Sequence, residues 1–204
     1  MLIDANQNKP QPVTAAISQD TPLTLMTSGG SRFSIDWSTW HPIDTAVLTF
    51  IRQDNNVLLI VKKRGLGQGK VNAPGGRIET GETPQQAAIR ETREEVGLTP
   101  HNLHHAGQLD FVFTDGYSLH CQVFTAAGYS GVMTESDEAD PFWCKVNAIP
   151  YAKMWSDDRL WIPLMLEGTF FAAQFVFEKD LMLWHTLNVF FNPPENPLSS
   201  PAGT

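Results

Sequence analysis

Several things are scarce in this chain of 204 residues, and each scarcity removes a class of explanation. Cysteine occurs only as Cys121 and Cys144, too few for a disulfide framework and without C-x-x-C spacing, so a reducing compartment is expected. No apolar run is long enough to span a bilayer, and the first residues, Met1 to Asn8, carry no apolar signal core. Basic residues are outnumbered, with 14 Lys and Arg against 22 Asp and Glu, which gives a formal net charge of −8. So acidic a chain is not expected to grip a polymeric nucleic acid along its length, whereas a small phosphorylated ligand approached through metal ions fits. Histidine clusters once, at His101, His104 and His105. That group has no matching Cys or carboxylate spacing and reads as a loop feature, not a metal site. A soluble, cytoplasmic protein with no membrane partner is expected.

What is present suffices for one sizeable core, since 42% of the residues are hydrophobic and the length suits a single domain with appendages. Residues 1–30 are polar, contain Pro10, Pro12 and Pro22, and read as a flexible extension. Phe33, Ile35 and Trp37 alternate with polar neighbours as in a strand, and Trp37 and Trp40 are expected to dock on the domain. Residues 45–50 and 57–61 are apolar runs joined by Gln53-Asp54-Asn55-Asn56, the pattern of a β-hairpin. Further strands are expected over 103–113 and 119–126, and a hairpin over 170–187 that turns at Glu178-Lys179-Asp180. Residues 135–141 read as an acidic turn. A second helix is expected after Trp155-Ser156-Asp157-Asp158, with Pro163 in its first turn or breaking it. The domain is therefore placed at 44–191, between an extension over 1–43 whose end docks and a Pro- and Ser-rich tail over 192–204.

The basic, glycine-rich segment Lys62 to Lys70 is not a P-loop, because Gly65 and Gly69 enclose only three residues and Val71 follows Lys70. It reads as a mobile loop beside a pocket, with a lysine to meet substrate. The most informative stretch runs from Gly76 to Leu98. Thr83-Pro84-Gln85-Gln86 has the form of a capping box with proline at the first helical position, and Gly97 supplies the stop. At about 100° per residue, Ile89, Thr92 and Val96 fall on one side of that helix while Glu91, Glu94 and Glu95 gather on the other. Three carboxylates so close raise one another's pKa, and Arg90 can partner only one. A divalent cation is the natural remainder, and all-oxygen ligands select Mg²⁺ or Mn²⁺ over Zn²⁺. A solvated acidic face would explain three glutamates taken alone.

The full spacing is more specific. Gly76, Glu82, Arg90-Glu91, Glu94-Glu95 and Gly97-Leu98 resemble the Nudix box, G-x5-E-x7-R-E-U-x-E-E-x-G-U, with Thr92 where the family has a bulky aliphatic residue. A small packing loss is expected there. From about Asp44 to Thr186 the chain is similar to the MutT-type Nudix group that acts on oxidised purine nucleoside triphosphates, except that Ala139 replaces a larger apolar residue and Val71-Asn72-Ala73-Pro74 a more aromatic one. That resemblance implies an α/β fold, an α/β/α sandwich with a mixed central sheet and β-hairpins. It also implies Mg²⁺ dependence and a nucleoside triphosphate cleaved to monophosphate and pyrophosphate. Carried over by position, the Gly75 carbonyl with Glu91, Glu94 and Glu95 would hold metal, Glu138 would complete the acidic ring, and Arg90 would orient a box glutamate. Lys62 would meet substrate. Asn72, Asp157 and Asp158 would read the base edge, with Trp155 and Phe111 stacking on its faces. Either Glu91 or Glu138 would be the general base. The other readings are a Nudix hydrolase of a different nucleoside diphosphate derivative, such as a dinucleoside polyphosphate or nucleotide sugar, and a nucleotide-binding module without turnover.

Overall fold

The structure is a computed structural model and describes residues 22–190. Residues 1–21 of the expected extension over 1–43, and the expected tail over 192–204, lie outside the described residues. The first strands are short: β1 (Leu23–Met26) and β2 (Arg32–Ile35) pair antiparallel as a separate two-stranded sheet. β1 falls in the stretch read from sequence as a flexible extension. Its alternation spans only four residues, too few to show as a period, and its partner supplies the rest.

The main sheet is built from β3 (Asp44–Gln53), β4 (Asn56–Lys62), β5 (Val71–Asn72), β6 (Leu98–Phe113), β7 (Ser118–Gly131), β8 (Ala139–Lys145), β9 (Phe170–Glu178) and β10 (Leu181–Phe190). Its order is β10-β9-β6-β7-β3-β4-β5, with β8 also on β4. The β3/β7 and β6/β9 pairs are parallel and the others antiparallel, so the sheet is mixed. The expected hairpin of β3 and β4 exists only at its tip, through Arg52↔Val57 and Gln53↔Asn56. Beyond those two pairs the strands part, β3 to run along β7 and β4 along β8. Residues 74–78 occupy the gap beside β3, where Val47 and Thr49 donate to the Gly76 and Pro74 carbonyls (2.9 and 2.8 Å) and Ile78 donates to Thr45 (2.9 Å). A Cβ at Gly75 would collide with the Val47 carbonyl, which is why this splice needs glycine.

Helices cover both faces. α1 (Pro84–Val96) lays Ala87 and Ala88 on Val47 and Phe124, and Val96 on Ile51, Leu58 and Ile60. Its capping box is formed: the Gln86 amide donates to Thr83 Oγ1 (3.2 Å) and the Thr83 amide to Gln86 Oε1 (2.8 Å), an arrangement that contributes about 1 kcal/mol. Gly97 closes it in the left-handed region, φ 72°. Thr92 is fully buried, and its hydroxyl donates to the Ala88 carbonyl (2.7 Å), so the polar atom in the aliphatic position is satisfied. α2 (Asp158–Leu166) buries Trp161, Ile162 and Met165 against Phe50 and Phe171 on the opposite face. Pro163 neither starts nor breaks this helix. It sits at the sixth position on the exposed side, and the buried Trp161, Ile162 and Met165 hold the turn.

The β1/β2 hairpin closes part of the α1 face by packing on Val112 and Val176, and Trp37 and Trp40 dock with it as expected. Trp37 stacks on Trp184 at 6.0 Å between centroids and leans on Trp40 at 5.3 Å. His101, His104 and His105 are not in a loop, because β6 starts directly after Gly97 and carries all three. The reading failed there because the start of β6 pairs only with β7 and is rich in polar residues, which looks like a connection, although His105 packs between Phe124 and Phe170. The hairpin of β9 and β10 turns at Lys179-Asp180 as expected.

Candidate active site

A cavity of about 420 Å³ opens where β3 and β4 have parted. Its far wall is aromatic. Phe111 and Phe113 project from β6 at strand period, Phe177 from β9, and Trp155 stands edge-on to Phe113 and Phe177 at 6.0 and 5.4 Å. Phe111 stacks on Phe175 at 5.3 Å. The loop between β4 and β5 lies over Trp155, with Lys70 Nζ 4.8 Å from its ring and paired to Asp180 at 3.0 Å. Gly67 has φ +79°, and a Cβ there would come within 2.9 Å of the Trp155 indole nitrogen. Gly67→Ala is accordingly expected to shift the ring and raise KM for a purine nucleotide by about 10-fold with kcat little changed, measured by steady-state kinetics.

Asp157 and Asp158 lie deep in this cavity, 1% and 3% exposed. Trp161 Nε1 donates to Asp157 Oδ2 and the Trp155 amide to Asp158 Oδ2, both at 3.0 Å, while Asp157 Oδ1 has no partner among the described residues. Burial pushes the Asp157 carboxyl up to about 6, and burial together with the neighbouring Asp157 charge raises Asp158 well above the usual carboxylate range. Two coupled carboxyl groups whose pKa values are both raised by burial can retain a proton between them and so offer both donor and acceptor. Cys121 lines the same wall, its thiol pushed up by burial and by both aspartates. Asn72 also lines the cavity; its Oδ1 accepts from the Ala73 amide (2.8 Å), which leaves Nδ2 as the group to offer.

The other end is acidic. Arg90 grips Glu82 through two nitrogens (2.9 and 2.8 Å), donates to Glu91 Oε1 (2.8 Å) and Glu94 Oε2 (3.2 Å), and reaches the Arg77 carbonyl (3.0 Å). One guanidinium thus orders three glutamates. Glu91 lies against Gly76, where a Cβ would collide with its carboxylate. Burial raises its pKa against the pull of Arg90, and the charges of Glu94 and Glu138 add to the rise. Glu95 does not share an open face with Glu94. It is 2% exposed, with Oε2 accepting from the Gly75 amide (2.9 Å) and Oε1 facing Lys62 Nζ (3.4 Å), and burial still raises its pKa despite Lys62. Glu138 and Arg64 form an ion pair at the rim, and Glu135 pairs with Lys63.

Lys62, Asn72, Gly75, Phe111, Glu138, Trp155, Asp157 and Asp158 therefore line one cavity, while Arg90, Glu91, Glu94 and Glu95 form the network behind its Gly75-Gly76 edge. Phe113, Tyr117, Phe177, Arg64 and Arg77 also line it and were not read from sequence. Tyr117 Oη donates to Asp44 Oδ2 (3.0 Å), and Arg77 pairs with the same oxygen (2.9 Å). The strand period of Phe111 and Phe113 and of Phe175 and Phe177 was the available signal. Nothing local marked Tyr117 or Arg77.

Among the described residues no three His, Cys, Asp or Glu side chains converge closely enough to cage a metal ion. The donor chemistry nonetheless fits a hard cation. Two carboxylates held above their ordinary pKa by burial and by neighbouring charge lack a full complement of positive partners, and no hydrogen bond among the described residues engages the Gly75 carbonyl.

The α/β/α layering, the glycine splice and the Arg90-centred glutamates are those of a Nudix domain, and the NUDIX domain family matches residues 42–165. The chain belongs to the Nudix family. It is 44% identical over 145 residues to the oxidized purine nucleoside triphosphate hydrolase of Danio rerio, covering 69% of this chain and 92% of that one. The protein of the same name from Mus musculus is 39% identical over 142 residues, covering 69% and 91%. The crystal structure of a MutT protein from Bacillus halodurans superposes with a TM-score of 0.64 at 24% identity, covering 72% of this chain and 98% of that chain, a likeness of fold. Nudix hydrolases generally require a divalent metal.

Proposed function

We propose that the chain is a pyrophosphohydrolase that converts an oxidised purine nucleoside triphosphate, such as 8-oxo-dGTP or 2-hydroxy-dATP, to its monophosphate and pyrophosphate. The observation that carries this reading is the buried Asp157/Asp158 pair in an aromatic cavity whose Gly75-Gly76 edge is backed by the box glutamates. The aromatic wall takes the base plane, with Trp155 and Phe111 against its faces. Nδ2 of Asn72 and the shared proton of the aspartates match a base edge that presents donors and acceptors together. Lys62 meets the phosphates, and Arg90 fixes Glu91 and Glu94 so that their oxygens stay directed toward the triphosphate. Mg²⁺, or Mn²⁺, held by the Gly75 carbonyl, Glu91, Glu94, Glu95 and Glu138, would supply charge neutralisation and a more acidic water. Glu91 or Glu138 would accept the proton of the attacking water as its oxygen bonds to phosphorus and the α–β anhydride bond breaks, with the electron pair leaving on the bridging oxygen; the metal, when bound, would only add its charge to that site. The relatives named as oxidized purine nucleoside triphosphate hydrolases support the substrate class. The test is a nucleotide panel with Mg²⁺: pyrophosphate released fastest from oxidised purine triphosphates supports the reading, and preference for a dinucleoside polyphosphate or nucleotide sugar overturns it.

The domain proposed for this activity is 44–191, with 1–43 and 192–204 as appendages. A cytoplasmic location is in keeping with two buried free cysteines, and no helix among the described residues is long and apolar enough to cross a membrane.

The aspartates also predict a pH dependence. Their folded pKa values are raised above the unfolded value near 3.8, so the folded state holds more protons between the two. This contribution to stability is fully present below about pH 4 and is lost as pH rises through about 6 and above. Thermal unfolding in chelator is expected to show that fall, and Asp157→Asn to flatten it. An unchanged slope would place the titration elsewhere.

A further inference from the structure

Lys70, in the loop between β4 and β5, does not itself line the cavity, although Trp155, which it covers, does. Its backbone is fixed at the neck of that loop: the Lys62 amide donates to the Lys70 carbonyl (2.9 Å), the Lys70 amide to the Gly67 carbonyl (2.9 Å) and the Gly69 amide to the Lys62 carbonyl (2.7 Å). From this anchor the side chain, 23% exposed, places Nζ 4.8 Å from the centroid of the Trp155 ring and 3.0 Å from Asp180 Oδ2, at the turn of β9 and β10. Gly67 of the same loop lies against the indole nitrogen, and Phe113 and Phe177 meet the ring edge-on. The Trp155 amide is tied to Asp158, so its main chain is fixed as well. What remains to be set is the tilt of the ring, and Lys70 is the one cation over it among the described residues.

We propose that Lys70 is a positioning residue for base recognition: braced by Asp180, its ammonium covers one face of the Trp155 indole and fixes the tilt at which the ring meets a stacked purine. This role presupposes that Trp155 stacks on the base, as proposed above. An ammonium is drawn to the negative face of an aromatic ring, to tryptophan above all, and more strongly where water is partly withdrawn. Asp180 is 71% exposed, so water weakens its pair with Lys70, and its part is to keep the side chain extended across the loop. Lys70 stands outside the cavity lining and does not meet the phosphates; Lys62 lines the cavity and is placed for that. The charge of Lys70 nevertheless reaches Asp158, whose raised pKa it pulls downward, so it lies near the base-reading end. Stacking is indifferent to which groups a base edge carries, because every base has a π-face. Lys70 is therefore expected to serve oxidised and unmodified purines alike, in contrast to the aspartates.

Lys70→Gln is expected to raise KM about 3- to 10-fold on an oxidised purine triphosphate and on the unmodified one alike, with kcat within about twofold of wild type. Lys70→Arg is expected to restore KM, since a guanidinium also packs on an aromatic face and pairs with a carboxylate. The contact itself is read without nucleotide. The indole N–H resonance of Trp155, identified by its loss in Trp155→Phe, is expected to shift in Lys70→Gln and to return close to its wild-type position in Lys70→Arg. An unmoved resonance, or an unchanged KM in Lys70→Gln, overturns the proposal. If the wild type turns over no purine nucleotide, the stacking role of Trp155 falls and this role with it, an outcome distinct from an active wild type beside an indifferent Lys70→Gln. Should Lys70→Gln fail to fold, Asp180→Asn at the exposed turn takes its place, with KM about 2- to 3-fold higher and the same resonance displaced. No change in either would overturn the proposal.

Discussion

Asp158→Asn is expected to lower kcat/KM on an oxidised purine triphosphate by about 10- to 100-fold, and on the unmodified triphosphate by much less. The magnitude follows from leaving one buried polar group mismatched, about 1–3 kcal/mol at about 1.4 kcal/mol per tenfold. Asparagine keeps the shape and can still accept from the Trp155 amide, now 3.0 Å from Asp158 Oδ2. It changes what remains, because a carboxylic acid beside a carboxylate offers a movable proton, whereas an amide offers two fixed donors. Asp157→Asn is expected to act in the same direction, since the Trp161 indole nitrogen holds only Oδ2 and leaves Oδ1 without a partner. Steady-state kinetics on both nucleotides checks this, and an equal loss on both would mean that the pair does not read the base.

The second large effect concerns the acidic end. Glu91→Gln is expected to cut kcat by about 10²- to 10⁴-fold at saturating Mg²⁺, the range typical of losing a positioned proton acceptor or a charge on the reacting group. Glu91 is half-buried, carries a raised pKa, and lies where Gly76 has no side chain, so its carboxylate has little freedom to be replaced by water. The variant also gives Arg90 one anion fewer, while its grip on Glu82 remains to hold the fold. Glu138→Gln, at an exposed rim pair with Arg64, separates the candidates for general base. Whichever variant removes the acidic limb of the pH–rate profile identifies that base. A loss under tenfold in both would remove Glu91 and Glu138 as candidates for the general base.

What could be read in advance was what is local. The capping box at Thr83 and Gln86, the Gly97 stop and the spacing of Glu91, Glu94 and Glu95 depend on neighbours three or four residues away, and all were legible. The depth of Glu95 was not. Angular position on a helix does not say what lies across from it, and the partners that bury it, Gly75 and Lys62, are 20 and 33 residues distant. The hairpin of β3 and β4 was legible at its turn, but its parting was not, because β7 draws β3 away through eight parallel pairs formed far along the chain. The Asp157/Asp158 pair came from resemblance. Its burial required α2, Trp161 and the aromatic wall to be in place, and no pattern within Trp155 to Asp158 encodes that. The histidines of β6 were misplaced because His104 and His105 put a polar residue on each face of the strand, which looks like a connection until its neighbours on β7 are known.

The six indoles of this chain fall into separate neighbourhoods. Trp37, Trp40 and Trp184 cluster under the N-terminal hairpin, far in role from Trp155 and Trp161, which border the cavity. Trp143 belongs to neither group and packs on Tyr129. Intrinsic emission therefore has three sources, and Trp143→Phe leaves the two of interest. Quenching by a nucleotide should draw only on the cavity pair, while a change that persists at saturating nucleotide should report the hairpin lifting from the sheet, so one optical signal can follow occupancy and undocking separately.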